Sequence, residues 1–167
     1  MHTRTVKPRH GPEMLVRPLG RGDTATVQAV FERLGEESRR TRFNGPKWRL
    51  GEKELRWLAT VGPHHHALVA WVDGDPGPVA IARLVRVGAG AEIAFEVADA
   101  YQGRGIGSAL TRLLVADARA AGICEVTALV RSDNPAALAL LRRVLGRLEL
   151  RLEGPDVLVR APVPGCS

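Results

Sequence analysis

The chain has 167 residues, of which 45% are hydrophobic, so it is long enough for one folded domain and apolar enough to bury a core. Its 24 Lys and Arg residues exceed its 18 Asp and Glu residues, and the resulting net charge of +6 favours anionic ligands. The basic residues are almost all Arg, a bias that GC-rich coding also produces, so charge alone does not predict a nucleic-acid partner.

Other classes of protein are disfavoured by local composition. No segment reaches the roughly 18 apolar residues that span a bilayer, and the first residues lack the apolar core of a signal peptide. We therefore expect a cytoplasmic protein without a membrane partner. The two cysteines, Cys124 and Cys166, build neither a disulfide framework nor a zinc spacing, and Cys124 is expected in the core. Three adjacent histidines, 64–66, cannot all face one ion, so we expect a loop there and no metal.

The first half of the chain predicts one strand followed by helices. After a loose tail, a short strand ends in a glycine turn, and Asp23 or Thr24 is placed to cap the helix that follows. Apolar residues recur at helical spacing in that helix. The segments are a tail at 1–12, a strand at 13–19, and later short helices at 36–43 and 53–61.

The second half reads as strands first and then as alternating helices and strands. Three strands separated by turns predict an antiparallel meander. A strand, a helix and a further strand then predict a parallel pair with a right-handed crossover. The segments are strands at 67–72, 79–87 and 92–98, a helix at 106–121, a strand at 125–130, a helix at 134–145 and a hairpin at 148–163. We expect one domain over 13–163 and a short tail at 164–167.

A glycine-rich turn opens the helix at 106–121. Unpaired N–H groups at a helix N-terminus hold phosphate oxygens, and glycines let the backbone approach them closely. Arg104 adds a cation there. The turn therefore predicts a diphosphate site. Its glycines lack the spacing of a dinucleotide-binding fingerprint, and no lysine follows them as a nucleotide-binding P-loop requires. A glycine-rich helix start without a ligand is the alternative.

The segment Gln102-x-x-Gly105-x-Gly107 resembles the Q/R-x-x-G-x-G/A motif of the GNAT acetyltransferase superfamily. The likeness extends over 13–163, because the order of elements also matches. It implies an α/β (α+β) GNAT fold, with a mixed central sheet of about seven strands and flanking helices. It further implies a V-shaped splay between the strand at 92–98 and the strand at 125–130.

The resemblance also implies acetyl-CoA as cosubstrate. In the family the motif holds the pyrophosphate, and the splayed strand pairs with the pantetheine arm through its backbone near Phe95 and Val97. Asn134 resembles an asparagine near the cofactor, and it is also a suitable N-cap before Pro135. The other implied cofactor-binding residues are Gln102, Gly103, Arg104, Gly105, Ile106, Gly107, Ser108 and Ala137.

Two carboxylates are candidates for the general base that takes a proton from the acceptor amine. Strand alternation places Glu92 and Glu96 on one face. The segment 92–95 resembles the strand of GNAT protein-lysine acetyltransferases, in which the glutamate at the position of Glu92 is the base. Glu92 is the first candidate and Glu96 the second. The alternative for each is a solvated or salt-bridged surface carboxylate.

The acceptor side departs from the family pattern. Leu141 stands where many members have a tyrosine that protonates the leaving thiolate, and Gly146-Arg147 replaces a common Gly-Phe pair. The Arg-rich segment 36–43 resembles an E-S-x-x-x-R-F segment of bacterial members, where this region borders the acceptor; a solvated face is the alternative.

Together these features predict an acetyl-CoA-dependent N-acetyltransferase that acetylates a primary amine, on a small molecule or a protein lysine, by direct attack in a ternary complex. The alternative is an acyl-CoA-binding sensor with little or no catalysis. Since dimers are common in the family, the resemblance admits a homodimer.

Overall fold

The computed structural model describes residues 2–167 as one sheet with helices on both faces. The strands are β1 (Arg4–Val6), β2 (Met14–Pro18), β3 (His65–Val72), β4 (Pro78–Val87), β5 (Gly90–Val97), β6 (Glu125–Arg131), β7 (Glu149–Glu153) and β8 (Asp156–Pro162). The helices are α1 (Thr24–Glu32), α2 (Glu36–Arg42), α3 (Glu52–Leu58), α4 (Ile106–Ala120) and α5 (Pro135–Leu145), with a single 3₁₀ turn at Asp99–Tyr101.

The sheet has eight strands in the order β1-β2-β3-β4-β5-β6-β8-β7. Every neighbouring pair is antiparallel except β5 and β6, so the predicted meander, parallel pair and C-terminal hairpin are confirmed. The strand beyond the expected seven is β1, which pairs with β2 from Arg4↔Val16 to Val6↔Met14. The prediction of a loose tail was therefore wrong for residues 4–6, because three residues suffice for an edge strand when a partner edge is available.

Two apolar layers cover the two faces of the sheet. On one face, α4 and α5 pack on the strands through residues such as Leu110, Leu114 and Leu141, each at most 1% exposed. On the other face, α1 and α3 bury Val27, Phe31 and their neighbours against β3 and β4. The aspartate predicted to cap α1 does so, since Asp23 Oδ1 accepts a hydrogen bond from the Thr26 amide at 3.0 Å.

Strands β5 and β6 part soon after they meet. Their parallel register covers only Ala91↔Val126 and Glu92↔Thr127. Beyond Glu92 the edge of β5 that faces β6 has no backbone partner in residues 2–167. The expected V-shaped splay is therefore present, and it opens towards the glycine-rich turn that follows β5.

The two cysteines are bonded to each other, contrary to our expectation. The Cα atoms of Cys124 and Cys166 lie 5.4 Å apart and their sulfur atoms form a disulfide. Cys124 is also exposed rather than in the core. Its carbonyl accepts a hydrogen bond from the Val163 amide at 2.8 Å, which holds the end of the chain beside the start of β6. Two cysteines 42 positions apart give no local signal of this pairing.

Among the helices of residues 2–167, none is long and apolar enough to cross a membrane.

Reduction of the disulfide is expected to lower the free energy of unfolding by about 2–4 kcal/mol, because the bond closes a long loop and restricts the unfolded chain. Denaturant unfolding with and without a reductant measures this change. Cys166→Ser should show the same loss and no further effect of reductant. An unfolding midpoint that reduction leaves unchanged would contradict the pairing.

Candidate active site

A cavity of about 1230 Å³ lies where β5 and β6 part. It is bordered by α2, β5, the glycine-rich turn, α4, β6 and α5. Every residue that the sequence predicted for the site lines it except Arg104, whose guanidinium instead lies 5.4 Å from the centre of the Tyr101 ring. The structure thus gathers both carboxylate candidates and the predicted cofactor-binding residues around one opening.

The glycine-rich turn carries free backbone donors at the start of α4. Gly103 and Gly105 have φ angles of +74° and +79°, a conformation that favours glycine. The amides of residues 103–105 donate no hydrogen bond within residues 2–167, and the first amides of a helix have no intrahelical acceptor. N–H groups at a helix N-terminus can bind a diphosphate, so the turn has the donors that such a group needs.

Gly107, in the first turn of α4, allows close packing behind the turn. A Cβ atom at this position would lie 3.0 Å from Leu140 Cδ1 and 3.2 Å from Val97 Cγ2. A larger residue would therefore require these two side chains to shift by a few tenths of an ångström. The missing side chain allows α4, α5 and the end of β5 to pack closely beside the cavity.

The side chain of Gln102 connects the turn to α2. Its Nε2 donates to the Val97 carbonyl and to Ser38 Oγ, both at 3.0 Å. Ser38 Oγ in turn donates to Asp99 Oδ1 at 2.7 Å. One polar network therefore spans the end of β5, the 3₁₀ turn and the helix that borders the cavity.

Asn134 caps α5 at the cavity wall. Its Oδ1 accepts a hydrogen bond from the Ala137 amide at 3.2 Å, and Pro135 occupies the first helical position. The capping role predicted for Asn134 is therefore confirmed. Its side-chain amide N–H groups make no hydrogen bond in the described chain and remain available to a ligand.

The two candidate carboxylates have different surroundings. Glu92 is exposed and forms no ion pair in the part of the chain that the structure describes. Glu96 is only 6% exposed, and its Oε2 lies 3.0 Å from Arg42 Nε of α2. These two atoms are within ion-pairing distance but are not aligned as a hydrogen bond. Glu92 is thus the freer proton acceptor, and Glu96 attracts α2 to the sheet.

Arg83 is a buried cation on β4, the strand that pairs with β5. Its Nη1 donates to the Leu58 carbonyl at 2.8 Å and faces His65 Nε2 at 3.1 Å. Burial lowers the pKa of Arg83 to about 10, although the Glu96 carboxylate acts in the opposite direction. Since a guanidinium only donates, His65 Nε2 carries no proton. Burial, and then the Arg83 charge, lower the pKa of His65 to about 4.

Helix α2 is attached to the protein mainly through its charged and polar side chains. None of its residues is buried. Besides the hydrogen bond of Ser38 and the ion pair of Arg42, Arg40 reaches Asp133 at 2.9 Å, and Arg39 lies 4.2 Å from the Phe31 ring centre. Its arginines are therefore engaged with the protein rather than forming the solvated face that was the alternative.

No tyrosine is available where the family's general acid lies. Leu141 is fully buried in the core. The only tyrosine, Tyr101, donates its hydroxyl proton to Asp75 Oδ2 at 2.7 Å, and this bond raises the pKa of Tyr101. The Arg33 guanidinium holds the pKa of the Asp75 carboxyl well below its usual range. Tyr101 thus borders the cavity, but its hydroxyl is bonded to Asp75.

Several lining residues were missed by the sequence reasoning. They include Ser38 and Arg42 of α2, although the resemblance of segment 36–43 was the signal that could have identified them. Lys7, Arg9 and His10 also line the cavity, but they lie in the expected tail and gave no signal. Within the described chain, no three His, Cys, Asp or Glu side chains cluster as metal ligands would.

Comparison with known proteins connects this site to a family. The family described as "Acetyltransferase (GNAT) family" matches residues 28–146. Acetyltransferase Pat of Mycolicibacterium smegmatis is 33% identical over 95% of this chain and 48% of its own length. The chain thus spans about half of that curated relative.

Solved structures show the same fold. The GNAT domain of S. lividans PAT matches with a TM-score of 0.87 and 28% identity, over 96% of each chain. A cAMP-binding acyltransferase from Mycobacterium smegmatis matches with a TM-score of 0.69 and 28% identity, over 99% of this chain and 48% of that one.

The pKa of His65 predicts a loss of stability in acid. The unfolded chain binds a proton below the ordinary pKa of 6.5, whereas the folded chain binds it only below about 4. The free energy of unfolding should therefore fall by roughly 2–3 kcal/mol between these pH values and level off below them. Chemical denaturation across this range measures the slope.

His65→Gln should flatten that slope, because an amide oxygen still accepts from Arg83 but does not titrate. His64→Gln, at the exposed neighbour, is the matched control and should leave the slope as it is. An unchanged slope in His65→Gln would show that another group causes the acid sensitivity.

Proposed function

Because the chain belongs to the acetyltransferase (GNAT) family, we propose that it is an acetyl-CoA-dependent N-acetyltransferase acting on a primary amine, on a small molecule or a protein lysine. The observation that carries the proposal is the set of free amides at residues 103–105, immediately before α4. They lie at one end of a cavity that Glu92 and Glu96 also line. A diphosphate site would hold the cofactor, and a carboxylate on β5 would accept the proton of the amine. Acetyl transfer to an amine needs both of these functions in one cavity.

Residues from the turn, β5 and α5 would bind successive parts of the cofactor along the cavity. Acetyl-CoA supplies the acetyl thioester. The turn residues 103–108 bind its diphosphate, and the unpaired edge of β5 at Phe95 and Val97 pairs with the extended pantetheine arm. Asn134 and Ala137 border the same arm from α5. These contacts fix the thioester in the splay.

Glu92 acts as the general base. The acceptor arrives as an ammonium ion and must lose a proton before its nitrogen can attack, and Glu92 accepts that proton directly or through water. The neutral amine then forms the N–C bond as the C–S bond breaks, and the acetylated nitrogen releases its second proton to solvent water to become the amide. Since Leu141 cannot donate a proton and Tyr101 is bonded to Asp75, solvent water supplies the proton to the leaving sulfur.

The second candidate function is an acyl-CoA sensor with little catalysis. The buried Leu141 in place of a general acid favours it. Release of free thiol from acetyl-CoA, measured across a panel of amines and peptides, separates the two: turnover supports the enzyme, and binding without thiol release supports the sensor.

Gly105→Val should abolish stabilisation by acetyl-CoA. A branched residue is strained at a φ of +79°, and its side chain would press on Pro8. The turn would therefore have to shift, and its free amides would lose the arrangement that binds a diphosphate. With the unsubstituted chain, a hundredfold excess of cofactor over its dissociation constant should stabilise the fold by about 2–3 kcal/mol. Thermal unfolding with acetyl-CoA, CoA and ATP measures the effect.

Gly122→Val is the matched control, because Gly122 has a φ of +77° at the opposite end of α4 with open space around it. It should cost similar stability and keep the response to acetyl-CoA. If Gly105→Val responds to the cofactor like its control, the turn is not the diphosphate site.

Glu92→Gln should lower kcat by on the order of 10²-fold or more, most clearly below the pKa of the acceptor amine, and leave acetyl-CoA binding intact. Initial rates across pH with one amine measure this. Glu149→Gln, at an exposed position on β7, serves as control. If Glu92→Gln retains full turnover and Glu96→Gln loses it, the base is Glu96.

A further inference from the structure

The charged side chains that line the cavity fall into an ion-paired set, mostly on α2 and β5, and a set of basic residues without ion pairs in the described chain. Lys7, Arg9, Arg112 and Arg143 come from the N-terminal segment, α4 and α5. In residues 2–167 none of these four forms an ion pair. The acidic residues of the lining, by contrast, belong to α2, β5 and the loop before α5, and most of them pair with arginines of α2. One part of the wall therefore carries uncompensated positive charge.

The N-terminal segment is held firmly beside the glycine-rich turn. β1 pairs with β2, and Arg4 makes a bidentate ion pair with Asp117 of α4 at 3.0 and 2.9 Å. Pro8 is buried, and a Cβ atom added to Gly105 would lie 3.5 Å from the Pro8 side chain. Gly11 packs so closely on the Arg104 carbonyl that any side chain there would clash.

This packing determines where the two basic residues lie. Lys7 and Arg9 flank Pro8 and are both exposed while lining the cavity. The anchoring of β1 on one side and of Gly11 on the other leaves their backbone little freedom to move away from the turn. They are therefore placed next to the predicted diphosphate site without belonging to its motif.

The free amides of the turn are neutral donors and suffice for a diphosphate. Coenzyme A carries a further phosphate, a monoester on the 3′-oxygen of its ribose, which is mostly dianionic near neutral pH. Clustered cations suit such a group because charge-assisted hydrogen bonds to phosphate are stronger than neutral ones. We propose that Lys7 and Arg9, with Arg112 and Arg143, form a subsite for the 3′-phosphate of the cofactor. The subsite rests on the proposed function, since it requires the diphosphate at the turn.

The test compares acetyl-CoA with acetyl-dephospho-CoA, which lacks only the 3′-phosphate. Dissociation constants are measured by calorimetry at low ionic strength for the unsubstituted chain, for Lys7→Ala/Arg9→Ala and for a control, Lys53→Ala/Arg147→Ala. The control removes one lysine and one arginine that are exposed, unpaired in residues 2–167 and outside the cavity.

The unsubstituted chain and the control should bind acetyl-CoA about tenfold or more tightly than the dephospho compound. The double variant should lose most of this preference by weakening acetyl-CoA alone, and added salt should reduce the preference because exposed charges are screened. Arg112→Ala/Arg143→Ala, which removes the two arginines of α4 and α5, should likewise reduce the preference for acetyl-CoA over the dephospho compound. Melting temperatures without ligand check that each variant folds.

Equal binding of the two compounds by the unsubstituted chain would overturn the subsite and leave the proposed function standing. An equal loss for both compounds in the double variant would also overturn it, because the segment would then support the turn rather than the 3′-phosphate. Binding of neither compound by the unsubstituted chain would overturn the proposed function together with the subsite.

Discussion

The separation of β5 from β6 after two residue pairs is the constraint on which the site depends. Buried backbone N–H and C=O groups need partners, and a sheet normally supplies them. Beyond Glu92, β5 keeps β4 on one edge and leaves the other edge unpaired in residues 2–167. An extended ligand arm can occupy that edge as a further strand would. The pairing of β5 with β4 and with the start of β6 thus keeps the sheet in one piece, while the rest of the β5 edge is free to bind a ligand.

Strand β5 also sets the direction of its apolar side chains and of its two carboxylates. Strand alternation turns Ile93, Phe95 and Val97 towards the layer of α4 and α5, where they pack with the core. It turns Glu92 and Glu96 to the opposite face, and Glu96 there meets Arg42 of α2. A one-residue shift of β5 would exchange the two sets. The extensive pairing of β5 with β4 therefore fixes the position of the acid groups as well as the core.

The sequence predicted the features that short segments determine. Asp23 and Asn134 are caps because an acceptor side chain precedes a helical pattern, and the glycine-rich turn is recognisable from its own residues. The sequence did not predict β1, the disulfide or the contact of Arg42 with Glu96. The disulfide and the contact of Arg42 with Glu96 join segments that are far apart in the chain, and β1 is only three residues long. All three depend on packing, which residue spacing does not encode. The α2 side of the cavity was accordingly less predictable than the glycine-rich turn.

The exposed character of α2 has a consequence for how such a protein diversifies. Core packing provides most of the stability of a domain, so mutations there are costly, whereas surface changes are usually tolerated. Helix α2 buries no side chain, yet it borders the cavity. The nearby Trp48 is 78% exposed and does not pack in the core either. Substitutions along this rim should therefore cost little stability, so the α2 side of the cavity can change more readily than its buried walls.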